Sequence, residues 1–493
     1  MKNQITQYET HLNRITFFLN GEKITADIPA GISTLDWLHT QKHLYGTKCS
    51  CNEGDCGACT VVIAYPFEGI INYQAITSCL YPAAKLHGKH LITIEGLGSP
   101  EKLHPIQQAL LTHHGIQCGY CTPGFVLSLF ALFAMQPHPD RKTVLSALEG
   151  NLCRCGTYQN ILNAVDELSA NQNVKDLVPA WCRKVEQELF RFQEQDSMLV
   201  VKTEIPQQVN CYLMPETTKQ LFDLCAEHPE SVFIAGGTDI MVQKNINRKE
   251  FPFLIDLTAI PEFNRLYLQQ DGLHIGSAVT YNQLWESGIV KTHFPVLHNL
   301  ISQIASQQIR NLGTLGGNIA NASPVGDTIP LLMVLNASLW LQSRWELRHI
   351  PLKDFFLAYR KTALQKGEII KEIIIPPLTE DTYVKTVKSA KRQSVDISSV
   401  ITAVNIEYKN GRIINSALAI GGVASIPVLS KKFPKLLKSK QIKALDPAAI
   451  VKEVESEFEP LTDVRGTALF RRELIRNHLI LYLQELQEAE NEL

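Results

Sequence analysis

The chain has 493 residues, too many for a single hydrophobic core, and its length suggests roughly three or four domains. An apolar fraction of 45% and a charged fraction of 19% are ordinary for a soluble protein, and a formal charge of -2 leaves no electrostatic footprint for nucleic acid or a membrane surface. The polar N-terminus lacks the apolar stretch of a signal peptide, and the apolar run Gly124 to Met135 is too short to span a bilayer, so a cytoplasmic location without a membrane partner is expected.

Residues 14–28 read as two strands around Asn20-Gly21, a dipeptide suited to a type I′ hairpin because both positions tolerate positive φ. Ser33, followed three residues later by Asp36, opens a short helix, and strands are expected near 60–65 and 91–95. Cys51, Cys56 and Cys59 lie on the loop before the first of these strands. With Cys79 they form C-x4-C-x2-C and a distant fourth cysteine, the spacing by which plant-type ferredoxins hold a [2Fe–2S] cluster. Gly54 and Gly57 let that loop wrap closely and turn N–H groups toward sulfur. Structural zinc is the alternative, although zinc ribbons favour paired C-x2-C knuckles. Cys49 is read as a non-ligand, and its position leaves open which of Cys49 and Cys51 binds iron.

From about 100 to 170 the periodicity is helical. Thr122 and Pro123 suit the N-cap and first position of an apolar helix over 123–135, and further helices are expected near 105–114, 141–150 and 158–170. Cys118 and Cys121 precede one helix, while Cys153 and Cys155 lie between two others. Four cysteines at helix ends could converge on one cluster, but spacing alone also admits zinc. Nine of the twelve cysteines fall between 49 and 155, and in an intracellular chain such density points to metal rather than disulfides.

Residues 171–203, with the charged stretch Lys184 to Gln195, read as a partly helical linker. Short β-rich runs then alternate with helices to about 380. The apolar run Ser231 to Ile234 leads into AGGTD at 235–239, a glycine turn whose bare N–H groups could hold a pyrophosphate or could simply join strand to helix. QIRNLGTLGGNIANASPVGDTIP at 308–330 is costly to order without a ligand. A hairpin is expected around Asn410-Gly411, with helices near 447–457 and 467–487. His104, His113, His114 and His138 read as structural, and Cys182, Cys211 and Cys225 as ordinary thiols.

GTKCSCNEGDCGACT, QCGYCTPG and GNLCRCG, in that order, resemble the two iron–sulfur domains of the xanthine dehydrogenase or molybdenum hydroxylase family. One departure is Gly156-Thr157 before Tyr158, where relatives usually have Thr-Gly. The 308–330 loop resembles the FAD domain of the same family, and DVRGTALFRREL at 463–474 its C-terminal flavoprotein domain. The resemblance implies a multidomain α+β fold: a β-grasp ferredoxin-like domain over 12–98 and a four-helix [2Fe–2S] domain over 99–172. After a linker over 173–203 would come an α+β FAD-binding domain of the vanillyl-alcohol-oxidase (PCMH) type over 204–380 and a C-terminal α+β domain over 381–493. It assigns one cluster to Cys51, Cys56, Cys59 and Cys79 and another to Cys118, Cys121, Cys153 and Cys155. It assigns FAD to Phe233, Ile234, Ala235, Gly236, Gly237, Thr238, Asp239 and Ile240, and to Thr314, Leu315, Gly316, Gly317 and Asn318, with Asp327, Ile370 and Lys388. Lys388 and Arg392 would otherwise pass for solvated surface charges. Ile304 stands where some relatives have an aromatic residue, and Gln117 matches a position facing the pterin.

The family's substrate chemistry takes place at a molybdopterin centre in a domain that these residues do not contain. The resemblance therefore implies an electron-transfer subunit with a large molybdopterin-binding partner, expected as an (αβ)2 heterotetramer. Two [2Fe–2S] clusters and FAD would convert one-electron into two-electron chemistry, with NAD+ as acceptor and hypoxanthine or xanthine oxidised to urate in purine metabolism. No catalytic acid or base is expected on this chain. The competing readings are the equivalent subunit of a hydroxylase acting on an aldehyde, another N-heterocycle or an aromatic thioester, a stand-alone NADH diaphorase, and a zinc-stabilised binding module.

Overall fold

The computed structural model describes residues 11–12, 14–170, 177–192, 199–205, 208–379 and 381–492. The chain divides into two compact units, Met1–Pro261 with Ser306–Gly313, and Glu262–Ala305 with Thr314–Leu493.

The first unit begins with a five-stranded sheet in the order Glu22–Asp27, Arg14–Leu19, His90–Ile92, Thr60–Phe67, Ile70–Thr77, with Arg14–Leu19 parallel to His90–Ile92. The first two strands join at Asn20 and Gly21, with φ of 50° and 93°, as the dipeptide predicts. Ser33 caps the helix Thr34–Gln41 by accepting from the Asp36 N–H at 3.0 Å. Ile70–Thr77 is a strand that the sequence reading passed over. It returns from Thr60–Phe67 through Glu68-Gly69, both at positive φ, in a stretch whose polar Asn72 and Gln74 mask the alternation. The strand expected at 91–95 ends at Ile92, where the chain turns into the short helix Ile94–Leu97.

Four helices follow, Pro105–Thr112, Thr122–Met135, Arg141–Leu148 and Tyr158–Ala170. The second starts one residue earlier than expected: Cys121 occupies the N-cap without a side-chain bond, and Thr122 is already helical. This helix is apolar on every face because it is central. Phe125, Val126, Leu129 and Phe130 share one core with Val62, Tyr73 and Ile92 of the sheet and with Ile161 and Val165 of the last helix. No helix among the described residues is long and apolar enough to cross a membrane. Within the expected linker, Ala180–Phe192 is a packed helix, with Val185 and Leu189 against Phe18 and with Cys182 buried.

The unit also holds a second five-stranded sheet, His11–Leu12, Leu199–Ile205, Gln208–Met214, Phe253–Asp256, Val232–Ile234, the last three mutually parallel. Tyr212, Ile234, Leu254 and Leu312 share a core with Ile15, Phe17, Trp37 and Tyr81. The first half of the expected flavin region is thus built onto the ferredoxin-like sheet.

In the second unit five antiparallel strands run in the order Leu266–Gln269, Gly272–Gly276, Ile369–Ile375, Ser338–Gln342, Leu347–Pro351. A four-stranded antiparallel sheet follows, Thr382–Ser389, Val400–Lys409, Arg412–Gly421, Val428–Leu429, its central hairpin turning at Asn410-Gly411 as expected. Helices Pro447–Glu455 and Ala468–Glu492 cover it, with Val454, Leu479 and Tyr482 packed on Val404 and Leu418. DVRGTALFRREL is only partly helical. Asp463 and Gly466 exchange backbone hydrogen bonds of 3.1 and 3.2 Å, and buried Arg471 ties that turn to the helix through Asp463 at 2.7 Å.

Candidate metal centres and glycine turns

The loop between the first helix and Thr60–Phe67 brings Cys51, Cys56, Cys59 and Cys79 together as two pairs. Cys56 donates a hydrogen bond to the Cys51 sulfur; together with backbone N–H groups of Glu53, Asp55 and Cys56 this brings the Cys51 thiol down to about 5, against the opposing effect of burial. Cys59 and Cys79 share a hydrogen bond with their sulfurs 3.3 Å apart. Cys79 is pushed well above the ordinary thiol range first by that bond and by burial, then by the neighbouring charges of Cys59, Cys51 and Cys56. Cys49 stands apart: it is exposed, and the partial desolvation of its sulfur with nearby charge raises its thiol.

The second set is paired in the same way. Cys118 and Cys155, both exposed, are hydrogen-bonded to one another. Cys121 and Cys153 form the other pair. Burial pushes Cys121 up to about 12; it also opposes ionisation of Cys153, where hydrogen bonds from Thr157 and Cys121 prevail and bring the thiol down to about 7. The Gly156-Thr157 order gains a local reason here. Gly156 takes φ of +83°, and the Thr157 hydroxyl lies 3.2 Å from the Cys153 sulfur. Among the described residues no three Cys, His, Asp or Glu side chains converge as around one metal ion. Two pairs of thiols fit a [2Fe–2S] core, whose two irons take two protein ligands each.

The two sets are joined by direct backbone contact. The Cys56 carbonyl accepts from the Leu152 N–H at 3.0 Å, and the buried Asn151 amide donates to the Gly57 carbonyl at 3.1 Å. A Cβ on Gly57 would lie 2.3 Å from the Gly150 carbonyl, so only glycine permits this approach. Gln308 closes the junction from another segment, donating to Ser128 at 2.9 Å and to the Asn151 side-chain oxygen Oδ1 at 3.1 Å.

On its other side the first set meets the turn at 235–239. Met241 packs with Cys59, Cys79 and Leu80, and the Asn245 amide donates to the Cys79 carbonyl at 2.9 Å. Gly237 has φ of +78° and lies against the Leu80 carbonyl, while a Cβ on Gly236 would sit 2.1 Å from the Leu312 carbonyl. Among the described residues none accepts a hydrogen bond from the N–H groups of Gly236, Gly237 or Thr238. Ala235, Gly236, Gly237 and Thr238 can therefore form an anion-binding concavity, whereas Ile234 belongs to the core. Phe233 lies on the strand, the Asp239 carboxylate accepts from Gln243, and Ile240 opens the next helix.

In the second unit Thr314 caps the helix Leu315–Asn321 by accepting from the Gly317 N–H at 3.0 Å. Gly316 is held so close to Ser277 that a Cβ would lie 2.5 Å from its carbonyl oxygen. Asn318 accepts from Thr328 at 3.2 Å. Lys388 is not a solvated charge: its side chain is 4% exposed, pairs with Asp327 at 2.7 Å and donates to the Gln303 carbonyl at 2.9 Å. Ser398, which the sequence reading did not single out, donates to the other Asp327 oxygen. Leu315 and Ile370 point into the core, leaving only their backbone for a ligand, and Ile304 packs at its edge. Arg392 remains at the surface with Asp396 and the Val395 carbonyl. His104 caps its own helix and bonds the Leu177 carbonyl at 2.8 Å, a structural role as read.

Four sequence models match the chain in order. They describe a 2Fe-2S iron-sulfur cluster binding domain over 17–79, a [2Fe-2S] binding domain over 93–166, an FAD binding domain in molybdopterin dehydrogenase over 204–378, and a CO dehydrogenase flavoprotein C-terminal domain over 385–486. The chain is 30% identical to xanthine dehydrogenase/oxidase of Rattus norvegicus over 97% of its own length and 39% of the relative's. It is 31% identical to xanthine dehydrogenase of Oryza sativa subsp. japonica over 86% and 36%. It thus spans about two-fifths of these curated relatives or less. Among solved structures, a carbon monoxide dehydrogenase chain from Hydrogenophaga pseudoflava aligns over 58% of this chain and 99% of its own, with TM-score 0.54 and 24% identity. A chain of quinoline 2-oxidoreductase from Pseudomonas putida 86 aligns over the same shares with TM-score 0.53 and 22% identity, and both likenesses speak to fold alone. Two iron–sulfur domains, an FAD-binding domain and a flavoprotein C-terminal domain in this order place the chain in the molybdenum hydroxylase family, whose iron–sulfur and flavin-binding part it carries.

Proposed function

We infer that this chain is the electron-transfer subunit of an NAD+-dependent xanthine dehydrogenase. It would pass electrons from a molybdopterin-binding partner, through the second and then the first cysteine set, to FAD and NAD+, as hypoxanthine and xanthine become urate. An (αβ)2 assembly in the cytoplasm accompanies this reading. The observation that carries it is the unbroken contact within the first unit, from Cys153 through Leu152 to Cys56, and from Cys79 through Leu80 to Gly237. Clusters of this kind supply one-electron chemistry and a flavin both one- and two-electron chemistry.

The eight cysteines of the two sets are the proposed iron ligands. Phe233 to Ile240, Thr314 to Asn318, Asp327, Ile370 and Lys388 are the proposed FAD-binding residues. Buried Asn151 and Gln308 tie the two cysteine loops together. Exposed Cys118 and Cys155, with Gln117, Tyr120, Leu152 and Tyr158 also at the surface, form the face offered to the partner.

The purified complex should reduce NAD+ with xanthine or hypoxanthine, read as NADH absorbance. Turnover with an aldehyde or another heterocycle, but not with xanthine, would assign the chain to a different hydroxylase. A preparation without a molybdopterin partner would favour a diaphorase. The same protein should contain about four irons and four acid-labile sulfides. The backbone N–H groups around the Cys51 sulfur support it as the ligand in preference to Cys49. Cys49→Ser should therefore keep the iron content and both electron paramagnetic resonance signals, whereas Cys51→Ser should lose one signal. The reverse result would exchange their roles.

A further inference from the structure

Beneath the glycine turn lies a buried charged cluster. Lys85, 5% exposed, reaches from the segment that follows Cys79 and donates to the Ala235 carbonyl at 2.7 Å. Its ammonium group lies 3.3 Å from the carboxylate of Asp256, which is 0% exposed. Asp256 accepts from the Tyr212 hydroxyl at 2.5 Å and from the Thr258 N–H and hydroxyl at 2.8 and 2.6 Å. A buried ammonium on a backbone carbonyl is an expensive way to close an ordinary turn, because desolvation opposes it.

The consequence follows from peptide geometry. In a trans peptide the carbonyl and the following N–H point in opposite directions. Drawing the Ala235 carbonyl inward onto Lys85 therefore turns the Gly236 N–H outward, beside the N–H groups of Gly237 and Thr238 that also lack acceptors among the described residues. Resting on the flavin reading above, we propose that Lys85 is the positioning residue of the FAD phosphate turn, with Asp256 as its fixed counter-ion. Lys85 touches no phosphate. It sets the direction of the donor that does, and it ties that donor to the chain segment bearing Cys79.

The test is Lys85→Met beside the double variant Lys85→Met/Asp256→Asn, in which no buried carboxylate is left unpaired. Flavin is removed from the purified protein, and FAD affinity is measured by fluorescence quenching on rebinding. The double variant is expected to keep the wild-type melting temperature and both iron–sulfur resonance signals, while its FAD dissociation constant rises about tenfold to a hundredfold, as for loss of a charge-assisted hydrogen bond. If Lys85 served only to neutralise Asp256, the double variant would bind FAD as tightly as wild type, and that result overturns the proposal alone. A wild-type protein that takes up no FAD overturns the flavin reading and this proposal with it.

Discussion

Cys118→Ala is expected to reduce substrate-driven NAD+ reduction to background while leaving NADH-driven dye reduction near the wild-type rate. Cys118 and its partner Cys155 are exposed, and neither lies in the core that joins helix Thr122–Met135 to the sheet, so the substitution removes a proposed ligand without opening a cavity. Cys59 and Cys79 are buried with Leu35, Leu80 and Met241, on the side of the glycine turn. Paramagnetic resonance should lose one of two signals, and thermal unfolding should be little altered. Loss of both activities in a folded protein would contradict the proposed order of centres, as would retained substrate-driven turnover.

The features legible in sequence were those whose chemistry is local. The Asn20-Gly21 and Asn410-Gly411 hairpins and the Ser33 cap each depend on a few neighbouring residues, and each is found where the residues place it. Strand Ile70–Thr77 was harder to see because Tyr73 and Ala75 face a core completed by helix Thr122–Met135, far along the chain. The same applies to the division of the flavin region. Nothing local in residues 204–261 announces that Ile234 and Leu254 complete the core of Ile15 and Phe17. At the candidate site, spacing and resemblance reach the thiols and the glycines, but not the groups that orient them. Lys85 stands in the apolar run Leu80 to Leu86, and a lone charge there was the available signal. Asn151 and Gln308 carried none, because their value lies in hydrogen bonds across 157 positions of sequence.

The largest stability effect should come from Arg310, in the segment Ser306–Gly313 that belongs to the first unit. Arg310 is 0% exposed, pairs with Glu149 at 2.7 Å and donates to Ser146 at 3.0 Å. Its neighbours act alongside it, for Asn311 donates to the Ala75 carbonyl at 2.8 Å and Leu312 lies against Gly236. Arg310→Met would leave the Glu149 carboxylate with little water and no counter-charge, a loss of about 3–5 kcal/mol for a buried pair. The melting temperature of this unit should fall on the order of 10 °C, measured by calorimetry. Arg310→Met/Glu149→Leu removes both charges and should recover most of that loss, since the penalty belongs to the stranded carboxylate rather than to the missing attraction. If the single variant unfolds within about 1 kcal/mol of wild type, the pair is solvated in solution. If both variants are equally destabilised, the guanidinium's bond to Ser146 and its packing hold the segment, and the clamp beside the glycine turn is steric rather than ionic.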